Sequence, residues 1–461
     1  MTDKEIISNL LEEFRVFKKE TNKIILSLRE EVKIIREKLS KYENPKNSKN
    51  SSVSPSQDPN RQTKSLRKKS DKKVGAQKGH KGSKLLKSGH PDKIILHDIT
   101  ECECCNSQLP KEGEIKSRQI FDIPKIKIEV TEHQIISKVC VNCGKKNKSN
   151  FPEGLVQQAQ YGNNIKAFSV YLQNYHMLPF KRCSELIEDL TGHKISQGSL
   201  ANFQIKSYSN LEDYESSVKK ILLQSSVLHA DETGIRLNGK LHWMHVLSND
   251  VLSYFGYHQK RGKQAINDFN IIPLYKGNLV HDRFASYFSY ECQHSLCNAH
   301  ILRELQYLWE TKELKWVRNL SNLLVGIHHQ IKQGKTYSTK EYERTVTKFE
   351  KLIAPTIQNY DKVYTKIKEE KLAFALEKHK HLFLKFIKEK EVPFDNNQAE
   401  RDLRMIKVKL KISGCFREPN YADYFARIRG YITTLKKNKQ DVLLNIQKSF
   451  DGKPFLPVLG E

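Results

Sequence analysis

The sequence has no uninterrupted apolar run of about 18 residues, which excludes a membrane-spanning helix. Its first residues, MTDKEIISNLLEEF, are charged and lack the apolar core of a secretory leader. Acids are scarce as well: 53 Asp and Glu stand against 79 Lys and Arg, a formal net charge of +26 that points to a polyanionic partner. Disulfide patterning is missing too. Five of the nine cysteines crowd between residues 102 and 143, which suits a metal site in a reducing compartment better than a disulfide scaffold. These absences describe a soluble, cytoplasmic protein. Its 461 residues allow two to four domains at about 100 to 200 residues each.

The chain opens on a helix. Ile7, Leu10, Phe14, Phe17, Thr21, Ile24, Leu28 and Ile35 recur at alternating spacings of three and four with charges between them, the seam of a coiled coil and hence of a homo-oligomer. An amphipathic helix packed on the rest of the chain is the alternative. Residues 41–90 have almost no large apolar side chains, and fourteen Lys or Arg face only Glu43, Asp58 and Asp71 there. No core can form from that composition, so a disordered basic linker is expected. It is either a phosphate-contacting segment or a solubilising spacer.

Cys102 and Cys105 form one Cys-x-x-Cys pair, and Cys140 and Cys143 form another. Each pair can present two thiolates from one tight turn to a single tetrahedral, structural Zn2+. The alternating segment IKIEVTEHQIISKV reads as a hairpin that carries the second pair back to the first, with Cys104 as a substitute ligand. Further on, KRCSELIEDLTGHKISQGSLANFQIK reads as a helix through Leu190, a turn at TGHK, and a second helix capped near Ser196 that buries Leu200 and Phe203. That is a helix-turn-helix pattern, with Lys194 and Lys206 as candidate DNA contacts, although many structural helical hairpins share it.

Downstream, an apolar run ends on Asp231. GIRLNGKLHWMHVLSNDVLSYFGYH follows as hairpins, with Asn238-Gly239 a type I′ signal and Ser248-Asn249-Asp250 the next turn. GNLVHD supplies a fourth strand ending at Asp282, and HSLCNAH a fifth before a helix near Ala299. Glu400 then heads a helix on which positions 400, 404, 407 and 411 share one face, so Arg404, Lys407 and Lys411 line up beside it as candidate phosphate contacts. With Asn397 as N-cap, Glu400 is the third helical residue and reads as a capping-box glutamate. With Asp231 and Asp282 at strand ends, it reads instead as the third carboxylate of a set. This order matches a ribonuclease-H-like domain, in which three carboxylates can hold two Mg2+ (or Mn2+) about 3.5 to 4 Å apart. Trp243 is expected in the core and His281 as a supporting neighbour of Asp282. Cys297 and His300 form a Cys-x-x-His pair, read as a buried thiol with a structural or phosphate-contacting histidine because only two ligands are visible, with a second metal site as the alternative.

ADETG, HDRFASY, HSLCNAHILREL, DNNQAERDLRMIKVKLKISG and the upstream GAQKGHKG resemble, in the same order, the motif series of the insertion-sequence-66 family of DDE transposases. The resemblance spans nearly the whole chain. It implies Asp231, Asp282 and Glu400 as catalytic acids, a zipper-like N-terminus, a zinc module, a helix-turn-helix, and a ribonuclease-H-like domain interrupted by a helical insertion. Asn106 follows the first knuckle where the family commonly has Gly, a position at which Asn tolerates the left-handed conformation.

The expected chain is multidomain α+β. It comprises a coiled-coil helix (1–40), a basic linker (41–95), a zinc ribbon (96–150), a helix-turn-helix region (151–215), and an α/β catalytic core in two parts (216–303 and 391–425). An all-helical insertion (304–390) and a C-terminal helical segment (426–461) complete it. The expected activity is metal-dependent cleavage and transfer of DNA strands, in a prokaryotic cytoplasm at the nucleoid, on double-stranded DNA as element ends and target, with or without a helper protein. A domesticated, non-enzymatic DNA-binding protein and a nuclease without strand transfer are the rival readings.

Overall fold

The computed structural model describes residues 3–43, 46–47, 50, 79, 84–357 and 368–457. Most of the basic linker, with GAQKGHKG apart from Gly79, lies outside the described residues. Helix α1 (Asp3–Glu43) is continuous, and from Phe14 onward its apolar residues face solvent: Phe14 is 64% exposed, with Phe17, Ile24, Leu28 and Ile35 similarly open. The side chains of Ile7 and Leu10 lie outside the described residues.

The cysteine-rich module contains one short hairpin, β1 (Ser137–Val139) paired antiparallel with β2 (Lys146–Lys148). The expectation of a hairpin within IKIEVTEHQIISKV is therefore corrected: only its last residues form a strand, and the partner lies beyond the second knuckle. Residues upstream, such as Val130 at 88% exposure, leave their apolar side chains open instead of packing them, so alternation alone does not build a sheet there.

Four helices follow: α2 (Asn163–Asn174), α3 (Phe180–Thr191), α4 (Gln197–Asn210) and α5 (Glu212–Leu223). As the local signals require, α3 stops at Gly192 in the left-handed conformation, and the Ser196 hydroxyl accepts from Ser199 N at 3.0 Å to cap α4. Leu200 and Phe203 are buried.

The central sheet comprises β3 (Val227–Leu237), β4 (Lys240–Ser248), β5 (Ser253–His258), β6 (Asn278–His281) and β7 (Gln293–Leu296). Its spatial order is β5-β4-β3-β6-β7, antiparallel from β3 to β5 and parallel from β3 through β7. Asn238 (φ 45°) and Gly239 (φ 77°) supply the two positive-φ residues that close the β3–β4 hairpin. Asn249 Oδ1 accepts from Val251 N and Leu252 N to make the next turn. Between β5 and β6 lies α6 (Lys263–Phe269).

After β7 come α7 (Asn298–Lys312), α8 (Lys315–Lys332), α9 (Thr339–Ile357), α10 (Lys368–Lys378), α11 (Lys380–Phe383) and α12 (Lys385–Lys388), which share a hydrophobic cluster of their own. That cluster already includes Ile301, so the helical body begins with α7, a few residues earlier than 304. Both of its ends are pinned together: Asn298 N donates to Phe394 O at 3.1 Å, and Asn396 N donates to Cys297 Sγ at 3.1 Å.

The chain then returns to the sheet with α13 (Asn397–Ser413), α14 (Pro419–Lys437) and α15 (Val442–Phe450). Alternation along β3 divides its faces. Leu228 and Ala230 join one cluster with α2, α4, α5, α14 and α15, whereas Ile235 and Leu237 join Ala399, Leu403 and Ile406 of α13. The helices α3 and α4 and the C-terminal helices thus share a core with the sheet. Among the described residues no helix is long and apolar enough to cross a membrane.

Candidate active site

The register between β3 and β6 brings two of the acids together. Val227, Leu228 and His229 pair with Asn278, Leu279 and Val280, and two further residues along this parallel register Asp231 comes level with Asp282. The expectation that the first strand ends on Asp231 is corrected, because β3 continues to Leu237. What ends there is its pairing with β6, so both carboxylates emerge where the two strands part. Asp231 shares its face of the strand with Ile235 and Leu237, the face covered by α13.

Glu400 is brought to this face by Asn396. The buried Asn396 side chain donates to Ala230 O and meets His229 Nδ1, each at 2.8 Å, tying the start of α13 to β3 beside Asp231. This overturns the capping-box geometry. Asn396, not Asn397, is the N-cap, its side chain makes no cap hydrogen bond, and Glu400 is the fourth helical residue. Glu400 instead accepts from Arg303 of α7, with Nη2 at 3.2 Å from Oε2 and 3.3 Å from Oε1, while His300 Nδ1 stands 3.7 Å from Oε1.

The electrostatics follow from this crowding. Burial, then the charges of Glu232, Asp282 and Glu400, hold the Asp231 carboxyl well above the usual carboxylate range, opposed by the Glu232 N–H that it accepts at 2.8 Å. Lys407, two turns along α13 from Glu400, is half-buried. Burial pulls its ammonium down, and the charge of Asp231 works against that pull. Arg404 and Lys411 are exposed on α13, Lys206 is exposed on α4, and the exposed Lys194 sits 3.6 Å from Glu188.

Several neighbours of these carboxylates have no signal in the sequence. Glu232 is buried on the opposite face of β3 from Asp231, held by Arg261 Nη2 at 2.6 Å and Tyr287 Oη at 2.7 Å. Arg261 in turn lies over Phe284 (4.2 Å) and Trp243 (4.9 Å), so the partly exposed Trp243 is a platform for a cation, not a core residue. Arg261, Asp282, Arg283, Phe288, Lys378 and His379 line an open cleft of about 740 Å³ between the Asp282 loop and α10. His281 is fully buried and packs against His294, Tyr287 and Phe288. Burial and the neighbouring histidines drive its pKa down to about 3.

The cysteine pairs form two knuckles of one design. Cys102 N donates to Ser107 O and Cys140 N to Lys145 O, while Asn106 N and Gly144 N donate to Cys102 O and Cys140 O, all at 2.9 Å. Asn106 (φ 54°) and Gly144 (φ 69°) take the left-handed conformation that lets each turn close. Hydrogen bonds lower the Cys105 thiol, chiefly from Ser107, and the Cys140 thiol, chiefly from the Cys143 backbone. The repeat assigns Cys102, Cys105, Cys140 and Cys143 to equivalent positions and leaves Cys104 outside them. Paired thiols of this kind are the donor type that tetrahedral zinc takes; among the described residues no three of the four lie within 4.8 Å of one another.

Comparison with protein families agrees with this layout. The zinc-finger binding domain of transposase IS66 matches residues 100–144, and a family of unknown function matches residues 8–85. No curated protein matches the chain. The Transposase IS66 family matches residues 158–424, more than half of the chain, from α2 through the sheet, the helical body and α13 into α14, and the chain belongs to that family.

Proposed function

We propose that this transposase binds the terminal inverted repeats of its insertion sequence, cuts to free 3′ hydroxyls and joins them to target DNA, with Asp231, Asp282 and Glu400 as the catalytic acids on a ribonuclease-H-like sheet. The observation that supports it most is the convergence of three carboxylates from β3, the end of β6 and α13, where burial first, and then the charges of Glu232, Asp282 and Glu400, hold the Asp231 carboxyl well above its usual range. Such crowding is unfavourable without a cation, and all-oxygen donors fit Mg2+ or Mn2+. Bound there, divalent ions supply charge stabilisation and an activated oxygen nucleophile, two ions per site in this class of chemistry.

The chain's own residues prepare that step. Asn396 fixes the start of α13 against β3, and Arg303 holds the Glu400 carboxylate. Arg404, Lys407 and Lys411 present cations along α13 to the DNA backbone, and Arg261, Arg283 and Lys378 do so around the cleft beside Asp282. Lys194 and Lys206 extend the contact to the helix-turn-helix, and one structural Zn2+ joins the two knuckles. The exposed apolar seam of α1 assembles copies of the chain.

Incubating the purified protein with Mg2+ and DNA carrying the ends of its element tests this reading. Cleaved ends joined to target, absent in Asp231→Asn, Asp282→Asn and Glu400→Gln, are the expected result. Binding without cleavage by the unaltered protein returns it to a DNA-binding role. Cleavage without joining makes it a nuclease.

A further inference from the structure

We propose that Cys297, His300 and Glu400 form a binding site for a zinc-class divalent cation, with three protein ligands and a fourth position open to water. Cys297 Sγ, a His300 ring nitrogen and a Glu400 carboxylate oxygen lie within 4.8 Å of one another, the only such group of three or more among the described residues. The sequence shows a Cys-x-x-His pair alone, and the fold adds the third ligand.

His300 carries the argument. Its Nδ1 is buried and makes no hydrogen bond, although a carboxylate stands 3.7 Å away. That distance is too long for a hydrogen bond. It suits two donors that each reach one ion at about 2.0 to 2.2 Å. Buried polar atoms are nearly always satisfied, and an ion is one of the few partners that satisfies an imidazole nitrogen facing a carboxylate and a thiol. Spacing supports the same assembly: Cys297 caps α7 and His300 follows three residues later on the same side of the helix. Asn396 N already donates to Cys297 Sγ at 3.1 Å, which fixes the sulfur in place. Asp282 and Glu304 add negative charge around the imidazole, against the positive charge of Arg303.

The donor set selects its cation. Thiolate and imidazole favour Zn2+ over Mg2+, which prefers oxygen ligands and keeps its water. Because Glu400 is shared, an ion held here draws that carboxylate away from Asp231 and Asp282, and a zinc-class ion therefore opposes Mg2+-dependent cleavage. This consequence rests on the carboxylate reading above. The binding site does not.

Co2+ titration of the full chain, with its knuckles first filled with Zn2+, separates the two. The expected result is one equivalent of Co2+ bound with a thiolate charge-transfer absorption. That absorption is lost in Cys297→Ser, and affinity falls more than about 100-fold in His300→Asn, since losing a ligand costs more than losing a group behind one. Superimposable spectra for the unaltered chain and Cys297→Ser overturn the site. Should Cys297→Ser fail to fold, unchanged Co2+ affinity in His300→Asn overturns it alone. Adding Zn2+ to the Mg2+-supported cleavage reaction supplies the second reading: inhibition that needs His300 supports the shared ligand, and Co2+ binding without inhibition keeps the site while removing Glu400 from the catalytic set.

Discussion

Glu400 is held by Arg303, 97 residues away on another helix, and not by the start of its own helix. The guanidinium reaches both carboxylate oxygens at 3.2 to 3.4 Å. A helix cap and a metal ligand make opposite demands of this residue. Glutamine fills a cap about as well as glutamate, but it is a much poorer partner for a hard cation. Glu400→Gln is therefore expected to melt within about 1 kcal/mol of the unaltered chain and to keep DNA-end binding. It should lose cleavage and joining by at least about 100-fold, because a metal site supplies several kcal/mol to the transition state and each tenfold in rate is about 1.4 kcal/mol. Near-normal strand transfer by this variant would remove Glu400 from the chemistry.

A second prediction concerns acid stability. His281 is fully buried with its pKa driven down to about 3, whereas the unfolded chain titrates its histidine near the ordinary 6.5. The native state refuses a proton that the unfolded state accepts, so the contribution of His281 is fully present above about pH 6.5 and is lost as the pH falls towards 3. Between pH 7 and pH 5 the loss is about 2 kcal/mol. His281→Gln should show a shallower fall in unfolding free energy over that range than the unaltered chain. Parallel curves would mean that His281 titrates normally.

A third prediction concerns the knuckles. Freshly prepared, reduced protein should retain about one Zn2+ per chain against a mild chelator. Cys140→Ser should lose that zinc and weaken DNA-end binding while leaving the melting of the sheet and its helices in place. Metal analysis that finds no zinc would separate the two turns from any shared site.

A fourth prediction concerns assembly. Removing residues 1–40 takes away the solvent-facing seam of Phe14, Phe17, Ile24, Leu28 and Ile35. Light scattering should then report a smaller oligomer with the remaining chain folded. An unchanged mass would leave α1 without a role in association.

Local chemistry made much of this molecule legible in advance. Asn238-Gly239, Ser196 and the two Cys-x-x-Cys turns each act through their nearest neighbours, and each takes the conformation that its residue type dictates. Asp231 and Asp282 could be read as a pair because parallel strands keep register and two short apolar runs sufficed to align them. Glu232, Arg261 and Tyr287 could not. They are 26 to 55 residues apart from one another, and an acid beside Asp231 gives no sign of which face it buries. The reading of Asn397 as N-cap failed for a related reason: the cap position belongs to Asn396. Its side chain satisfies β3, a partner that exists only in the folded chain, so the nearby cap signal went unused.

The last prediction separates the three cations that follow Glu400. Arg404 and Lys411 are exposed, so their contribution to DNA binding should be that of phosphate contacts. Arg404→Ala and Lys411→Ala should each weaken binding to specific and unrelated DNA alike, and each should lower the slope of log affinity against log salt by about 1. Lys407 differs because it is half-buried and feels the charge of Asp231. Lys407→Gln removes a positive charge from beside the most perturbed carboxyl of the set, so it should slow cleavage by more than its loss of DNA affinity explains, and the cleavage deficit should persist when DNA is saturating. A deficit that disappears at saturating DNA would make Lys407 a phosphate contact like the other two and leave Asp231 without a cationic neighbour on α13.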